Sequence, residues 1–208
     1  MRITLFDYGA GNLHSLAKAL AAPDTEVRIE EDPSRAIETD ALVLPGVGAF
    51  AAAAARLAPA RETVRDAVRT GLPTLGICLG MQLFLDGSEE GAGEGLGLVP
   101  GTVRRLRARR VPQIGWNEVE RDANGGSAHE PLLDAAPVGV AYYANSFVCE
   151  PLEPRCVTAW STHEDDRFAA AVRAGSAVGV QFHPEKSSDA GVRFVRAFVA
   201  SVRERGGR

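Results

Sequence analysis

Apolar and polar positions divide the chain into two halves with different rhythms. In the first half, short apolar runs alternate with helical stretches. Residues 3–6 form one run, closed by the glycine-punctuated turn Asp7-Tyr8-Gly9-Ala10-Gly11. Residues 12–21 then carry Leu13, Leu16, Ala17 and Leu20 at helical spacing, with Asn12 as the candidate cap. A weaker strand spans 26–29. A third, 41–44, ends in Pro45-Gly46-Val47-Gly48. The alanine-rich stretch 50–70 predicts a helix interrupted at Pro59. Residues 74–77 predict a fourth strand and 79–85 a helix. This alternation implies a parallel sheet covered on both faces.

The second half reads differently. Runs at 98–106, 116–120, 140–143, 156–160, 168–172 and 178–182 predict strands with few helices between them, so some must pair antiparallel. A last helix is expected over 188–202. Val192, Val195, Phe198, Val199 and Val202 line one of its faces, and arginines occupy the other. No repeat or long linker breaks the chain. The expectation is one α/β domain over 1–208, with a central, mostly parallel mixed sheet and an added antiparallel section. Residues 91–97 should form a surface loop.

Composition narrows the function. The 208 residues are 45% hydrophobic and 24% charged, the balance of an ordinary globular protein. A net charge of -4 does not suggest general affinity for nucleic acid or acidic membranes. An acid at position 7 interrupts the N-terminal apolar run too early for a signal peptide. Three cysteines, an odd number, argue for a reducing compartment, and a cytoplasmic protein is expected.

Two segments carry candidate chemistry. Cys78 sits in Gly76-Ile77-Cys78-Leu79-Gly80, at the junction of a predicted strand and a predicted helix. This is a thiol version of the nucleophile elbow. The glycines permit a sharp turn, and a helix N-terminus below the sulfur favours negative charge there. The competing reading is a packed core cysteine, which is how Cys149 and Cys156 are read. His183 lies in Gln181-Phe182-His183-Pro184-Glu185-Lys186-Ser187, after an apolar run. Pro184 should hold His183 extended, so that His183 and Glu185 project to one side. A carboxylate then orients an imidazole that can exchange a proton with the thiol. The alternative is a surface histidine beside a solvated acid. Pro45-Gly46-Val47-Gly48 ends another strand, and its backbone N–H groups could face an oxyanion. Arg104-Arg105-Leu106-Arg107-Ala108-Arg109-Arg110 could be a phosphate patch, but the acidic whole favours a solvated strand face.

With these pieces placed, the chain resembles the class I (triad) glutamine amidotransferases. Gly-Ile-Cys78-Leu-Gly-Met-Gln and Gln-Phe-His183-Pro-Glu185-Lys-Ser carry that likeness. Asp7-Tyr8-Gly9-Ala10-Gly11-Asn12-Leu13, Leu44-Pro45-Gly46-Val47-Gly48-Ala49-Phe50 and Pro112-Gln113-Ile114-Gly115-Trp116-Asn117 are similar to the glutaminase subunits of imidazole glycerol phosphate synthases in particular. The resemblance implies a flavodoxin-like fold and a Cys78–His183–Glu185 triad. It places oxyanion donors at Val47 and Leu79. It implies glutamine contacts from Gly46, Gly48, Gln82, Glu90, Asn145 and Ser146. Asn12, Trp116 and Lys186 would approach a partner, the cyclase subunit HisF, in a heterodimer. No cofactor or metal is implied. Asn145-Ser146-Phe147 departs from the His-Ser/Thr-Tyr usual in that group, and Gln113 replaces a common His. The rivals are a glutaminase serving another synthase, such as the pyridoxal phosphate type, and a catalytically silent subunit on the same fold.

Overall fold

The computed structural model describes residues 1–9, 13–121 and 129–206. The chain runs β1 (Arg2–Phe6), α1 (Leu13–Leu20), β2 (Glu26–Glu30), α2 (Pro33–Ala36), β3 (Ala41–Leu44), α3 (Phe50–Leu57), α4 (Arg61–Arg69), β4 (Thr74–Ile77) and α5 (Leu79–Gln82). It continues through β5 (Gly87–Ser88), β6 (Gly101–Arg105), β7 (Gln113–Glu118), α6 (Pro131–Ala135), β8 (Val140–Asn145) and β9 (Phe147–Pro151). It ends with β10 (Val157–His163), β11 (Asp166–Ala174), β12 (Ala177–Val180) and α7 (Ser188–Gly206).

The main sheet has the order β10-β11-β12-β4-β3-β1-β2. From β12 to β2 every pair is parallel, while β10, β11 and β12 pair antiparallel. Strands β3 and β4 are buried at every residue, which is why they read as unbroken apolar runs. One face of the sheet buries Ile3, Leu5 and Val43 under Leu13, Leu16 and Leu20 of α1 and Phe194, Phe198 and Val202 of α7. The other buries Phe6, Leu42 and Leu44 under Phe50, Leu57, Val64 and Val68 of α3 and α4. Two smaller sheets, β5-β6-β9 and β7-β8, supply the antiparallel section through the β6-β9 and β7-β8 pairs, while β5 joins β6 in parallel. Among the described residues no helix is long and apolar enough to cross a membrane.

Four expectations need correction. The helix expected over 79–85 stops after one turn, at Gln82. Leu83, Phe84 and Leu85 stay fully buried, but their carbonyls accept hydrogen bonds from a returning segment. Leu96 N–H donates to Leu83 O (2.7 Å), Leu98 N–H to Phe84 O (2.8 Å) and Gly97 N–H to Leu85 O (3.2 Å). That return also shortens the strand expected over 98–106 to Gly101–Arg105, and it makes 91–97 more than a surface loop. The arginine run is not simply a solvated face either. Arg104 is buried and grips Asp166 with both terminal nitrogens, at 2.8 and 2.7 Å, while its Nε donates to Glu150 Oε1 at 2.8 Å. Asp166 also accepts from Arg107 N–H at 2.7 Å. These carboxylates lie far along the chain, beyond any local pattern.

The Arg104–Asp166 fork ties the β5-β6-β9 sheet to β11. Burial raises the Asp166 pKa, but the hydrogen bonds from Arg104 and Arg107 and the charge of those arginines outweigh it and hold it below the usual carboxylate range. Asp166→Ala would take the carboxylate from both terminal nitrogens of a buried guanidinium, leaving Glu150 on Nε alone. We expect a loss of about 3–5 kcal/mol, read by chemical denaturation.

Candidate active site

The strand order sets three strand ends side by side: β3, β4 and β12. Each is followed by one of the segments singled out above, at the edge where open parallel sheets bind ligands.

Cys78 follows β4 directly. Its N–H donates to Val180 O at 2.7 Å, so it is still tied to β12, and its carbonyl accepts from Gln82 N–H at 3.1 Å. Between these bonds the backbone turns through φ 47°, ψ -103°. A side chain in the left-handed region costs roughly 1–3 kcal/mol and persists only where its surroundings enforce it. Here the bonds to Val180 and Gln82 on either side hold it, and Gly80 makes room for it. A Cβ at Gly80 would lie 2.0 Å from Leu44 O, so only glycine lets α5 press this close onto β3. The sulfur is thereby set at the C-terminal edge of the sheet, in a residue only 6% exposed.

His183 lies just beyond β12, in extended backbone (φ -98°, ψ 95°) as the following proline requires. Its N–H donates to Tyr142 O at 2.8 Å. Its carbonyl accepts from the Ser187 hydroxyl at 2.7 Å, and Ser187 Oγ in turn accepts from Tyr142 N–H at 2.9 Å. Glu185 does meet the ring, with Oε1 2.8 Å from Nδ1, but not by strand alternation. Pro184–Lys186 forms a 3-10 turn, which swings the carboxylate back beneath the imidazole. Burial pulls the His183 pKa down. Hydrogen bonds to Cys78 and Glu185, and the negative charge of both, push it up more, to about 9. The ring thus has its Nδ1 on the Glu185 carboxylate and shares the cavity with the Cys78 sulfur.

These groups open into a cavity of about 280 Å³. Gly46, Val47, Gly48, Leu79, Gln82, Glu90, Asn145 and Ser146 line it with Cys78, His183 and Lys186, so the turn after β3 does lie beside the elbow. A Cβ at Gly46 would come within 3.0 Å of the His183 ring. Glu90 Oε2 accepts from Phe50 N–H at 2.8 Å and so caps α3, whose own cap residue, Ala49, has no side chain able to do so. Gln82 and Asn145 both donate to Phe147 O, each at 3.1 Å. Sequence reasoning missed Gln181, fully buried, whose Nε2 lies 3.3 Å from Cys78 Sγ. Its signal was available, since it stands two residues before His183 in one extended run. Of the interface candidates, Trp116 is 57% exposed, and its ring meets Tyr142 edge-on at 6.2 Å. Lys186 Nζ stands 5.9 Å from the same Tyr142 ring. Asn12 lies outside the described residues. Larger hollows, of about 710 and 570 Å³, sit at the opposite edge of the sheet around Met1 and Asp40, away from Cys78 and His183. Among the described residues no cluster of three or more His, Cys, Asp or Glu side chains could hold a metal ion.

The family described as glutamine amidotransferase class-I matches residues 4–202. The chain belongs to the class-I glutamine amidotransferases. Within them its relatives include proteins named imidazole glycerol phosphate synthase subunit HisH. One from Gloeobacter violaceus is 41% identical, covering 98% of this chain and 91% of its own. One from Thermus thermophilus is 44% identical, covering 94% of this chain and 95% of its own. Solved structures share the amidotransferase fold. PurLQS from Thermotoga maritima superposes with a TM-score of 0.71 at 17% identity, over 96% of this chain and 98% of that one. A glutamine amidotransferase, also from Thermotoga maritima, gives 0.62 at 19% identity, over 99% and 85%.

The raised His183 pKa has a measurable consequence for this amidotransferase. A group whose native pKa lies above its unfolded value of 6.5 stabilises the fold fully below that value. The contribution is lost as pH rises through about 9. Glu185→Gln removes one of the groups that raise it. The alkaline loss of stability should then begin at lower pH, as unfolding free energy measured across pH will report.

Proposed function

We propose that this chain is the glutaminase subunit of an imidazole glycerol phosphate synthase, with Cys78 as nucleophile. The observation that carries this reading is the meeting of Cys78 and His183 at one cavity, with Glu185 bonded to the His183 ring. The thiolate attacks the side-chain amide carbon of glutamine. The tetrahedral oxyanion forms beside the N–H groups of Leu79 and Val47. Its collapse breaks the C–N bond, and His183 gives its proton to the departing ammonia. Water then adds to the thioester with His183 as base, the C–S bond breaks, and glutamate leaves. Glu185 holds the ring so that Nε2 faces sulfur. Gln82 has committed its amide nitrogen, which leaves its oxygen to accept from the substrate's α-ammonium, and Glu90 adds negative charge nearby.

The ammonia goes to a cyclase partner of the HisF type, a (β/α)₈ barrel, which yields imidazole glycerol phosphate and aminoimidazole carboxamide ribonucleotide. The surface suited to that partner is the outer face of β7 and β8. Ile114, Trp116 and Val140 are 68%, 57% and 48% exposed there, with Tyr142 and Lys186 alongside. Contiguous apolar exposure of this kind marks an interaction site. The protein would work in the cytoplasm as one half of a heterodimer, its single domain spanning the whole chain.

Cys78→Ser replaces a readily ionised thiol with a hydroxyl that stays protonated near neutral pH. Glutamine-dependent synthesis by the reconstituted complex should fall by orders of magnitude. Synthesis from added ammonium salt should persist. If both collapse together, Cys78 is structural; if neither falls, it is not the nucleophile.

The isolated chain should be a poor glutaminase. Gly46 and Gly48 let the peptide before Val47 rotate at low cost, so the second oxyanion donor can be turned away at rest. Losing one such donor slows the reaction about 10²–10³-fold. Glutamate release with and without the cyclase measures this. Trp116→Ala should weaken assembly by about 2 kcal/mol or more, seen as a raised Kd with the glutaminase centre intact.

A further inference from the structure

Gln181 reaches the sulfur through the register of the sheet. β12 and β4 pair in parallel with Val180 opposite Ile77, so the residue after one strand lies beside the residue after the other. Gln181 N–H donates to Ala170 O at 2.9 Å, which continues the ladder with β11 one step past β12. Phe182 then turns to the opposite side, into contact with the rings of Tyr143 and Phe194. Alternation returns His183 to the side of Gln181. One extended run thus presents two polar side chains to one sulfur.

The polarity of the amide follows from its neighbours. Phe147 O can only accept, so Gln82 must turn its nitrogen toward it, at 3.1 Å. The second N–H of that nitrogen faces Gln181 Oε1 at 3.4 Å. Gln181 Nε2 is left for Cys78 Sγ, at 3.3 Å. The donors therefore run in one direction, from Gln82 to Gln181 to sulfur, and Gln82 is itself anchored by its backbone N–H on Cys78 O. A fully buried glutamine could be no more than a filler with satisfied hydrogen bonds. A filler, however, has no need to aim its donor at the sulfur.

We propose that Gln181 is a positioning residue for the nucleophile: its amide N–H holds Cys78 Sγ toward the cavity and stabilises the thiolate independently of His183. The proposal rests on the reading of Cys78 as nucleophile. It gives the sulfur a donor that does not depend on the charge of His183, which the ring loses when it protonates ammonia and regains when it takes a proton from water. In the second half-reaction water adds to the thioester carbon, His183 takes the water's proton, and the C–S bonding pair returns to sulfur. The Gln181 N–H is in place to receive that charge as it forms, in a site with little solvent.

Two variants test it in the complex with the cyclase subunit. Gln181→Met keeps the length of the side chain without a donor. Gln181→Glu keeps the shape and sets a carboxylate against the sulfur. Losing a hydrogen bond to a charged group predicts a fall in kcat for glutamine of about tenfold or more in Gln181→Met, with KM nearly unchanged. Gln181→Glu should fall further. The initial rate of Cys78 alkylation by iodoacetamide at neutral pH should drop in the same order, and synthesis from ammonium salt should hold at wild-type level. Wild-type kcat and alkylation in both variants, with Cys78→Ser inactive on glutamine, would overturn the proposal and leave the glutaminase reading standing. Joint loss of kcat, KM, thermal stability and ammonium-driven synthesis would also overturn it, by making Gln181 structural. A Cys78→Ser complex that still uses glutamine would defeat the reading beneath it.

Discussion

The parallel pairing of β4 with β12 is the constraint on which the candidate site depends. Its last hydrogen bond, from Cys78 N–H to Val180 O, is made by the nucleophile candidate's own backbone. That bond fixes the height of Cys78 above the sheet before any side-chain chemistry begins. The left-handed turn at Cys78 follows, since the chain must leave β4 at once to enter α5. The glycine at position 80 follows in turn, because Leu44 O already occupies the space a Cβ would need. Gln181 and His183 reach the sulfur from the neighbouring strand end at no further cost in chain.

The same economy governs His183. Its ring is held by Glu185, two residues on, and its backbone by Tyr142 and Ser187. Ser187 Oγ serves both His183 O and Tyr142 N–H, so β8 and the His183 backbone share one buried hydroxyl. The exposed Trp116 on β7 stands opposite Tyr142 of β8. A partner seated there touches a surface only one peptide removed from His183.

Much of this was legible from sequence, and the reason differs by element. Residues 41–44 and 74–77 were bounded correctly because strands buried on both faces are plain apolar runs between turn residues. Cys78, His183 and Glu185 were legible because glycine and proline punctuate strand ends. The short helix α2 was overlooked although Asp32 and Pro33 spell a helix start, with Asp32 Oδ1 accepting from Ser34 N–H at 2.8 Å. Its four residues carry too little apolar periodicity to register. What stayed hidden was non-local. The early end of α5 is imposed by residues 95–99, and the burial of Arg104 by Asp166, 62 positions away. The way Glu185 meets His183 required the turn geometry, since either an extended run or a 3-10 turn satisfies Pro184.

The strand order also carries a consequence for how the protein is made. Gln181 and Cys78 are 103 residues apart, although their strands are immediate neighbours. A ribosome adding about 5–20 residues per second needs roughly 5–20 s to cover that interval. Throughout it, β4 has an open edge where β12 will dock, and Cys78 has neither imidazole nor amide beside it. The thiol therefore emerges as an ordinary cysteine. It gains its partners only when β12, the last strand, closes the sheet, so in a nascent or truncated chain Cys78 lacks the neighbours it has in the fold.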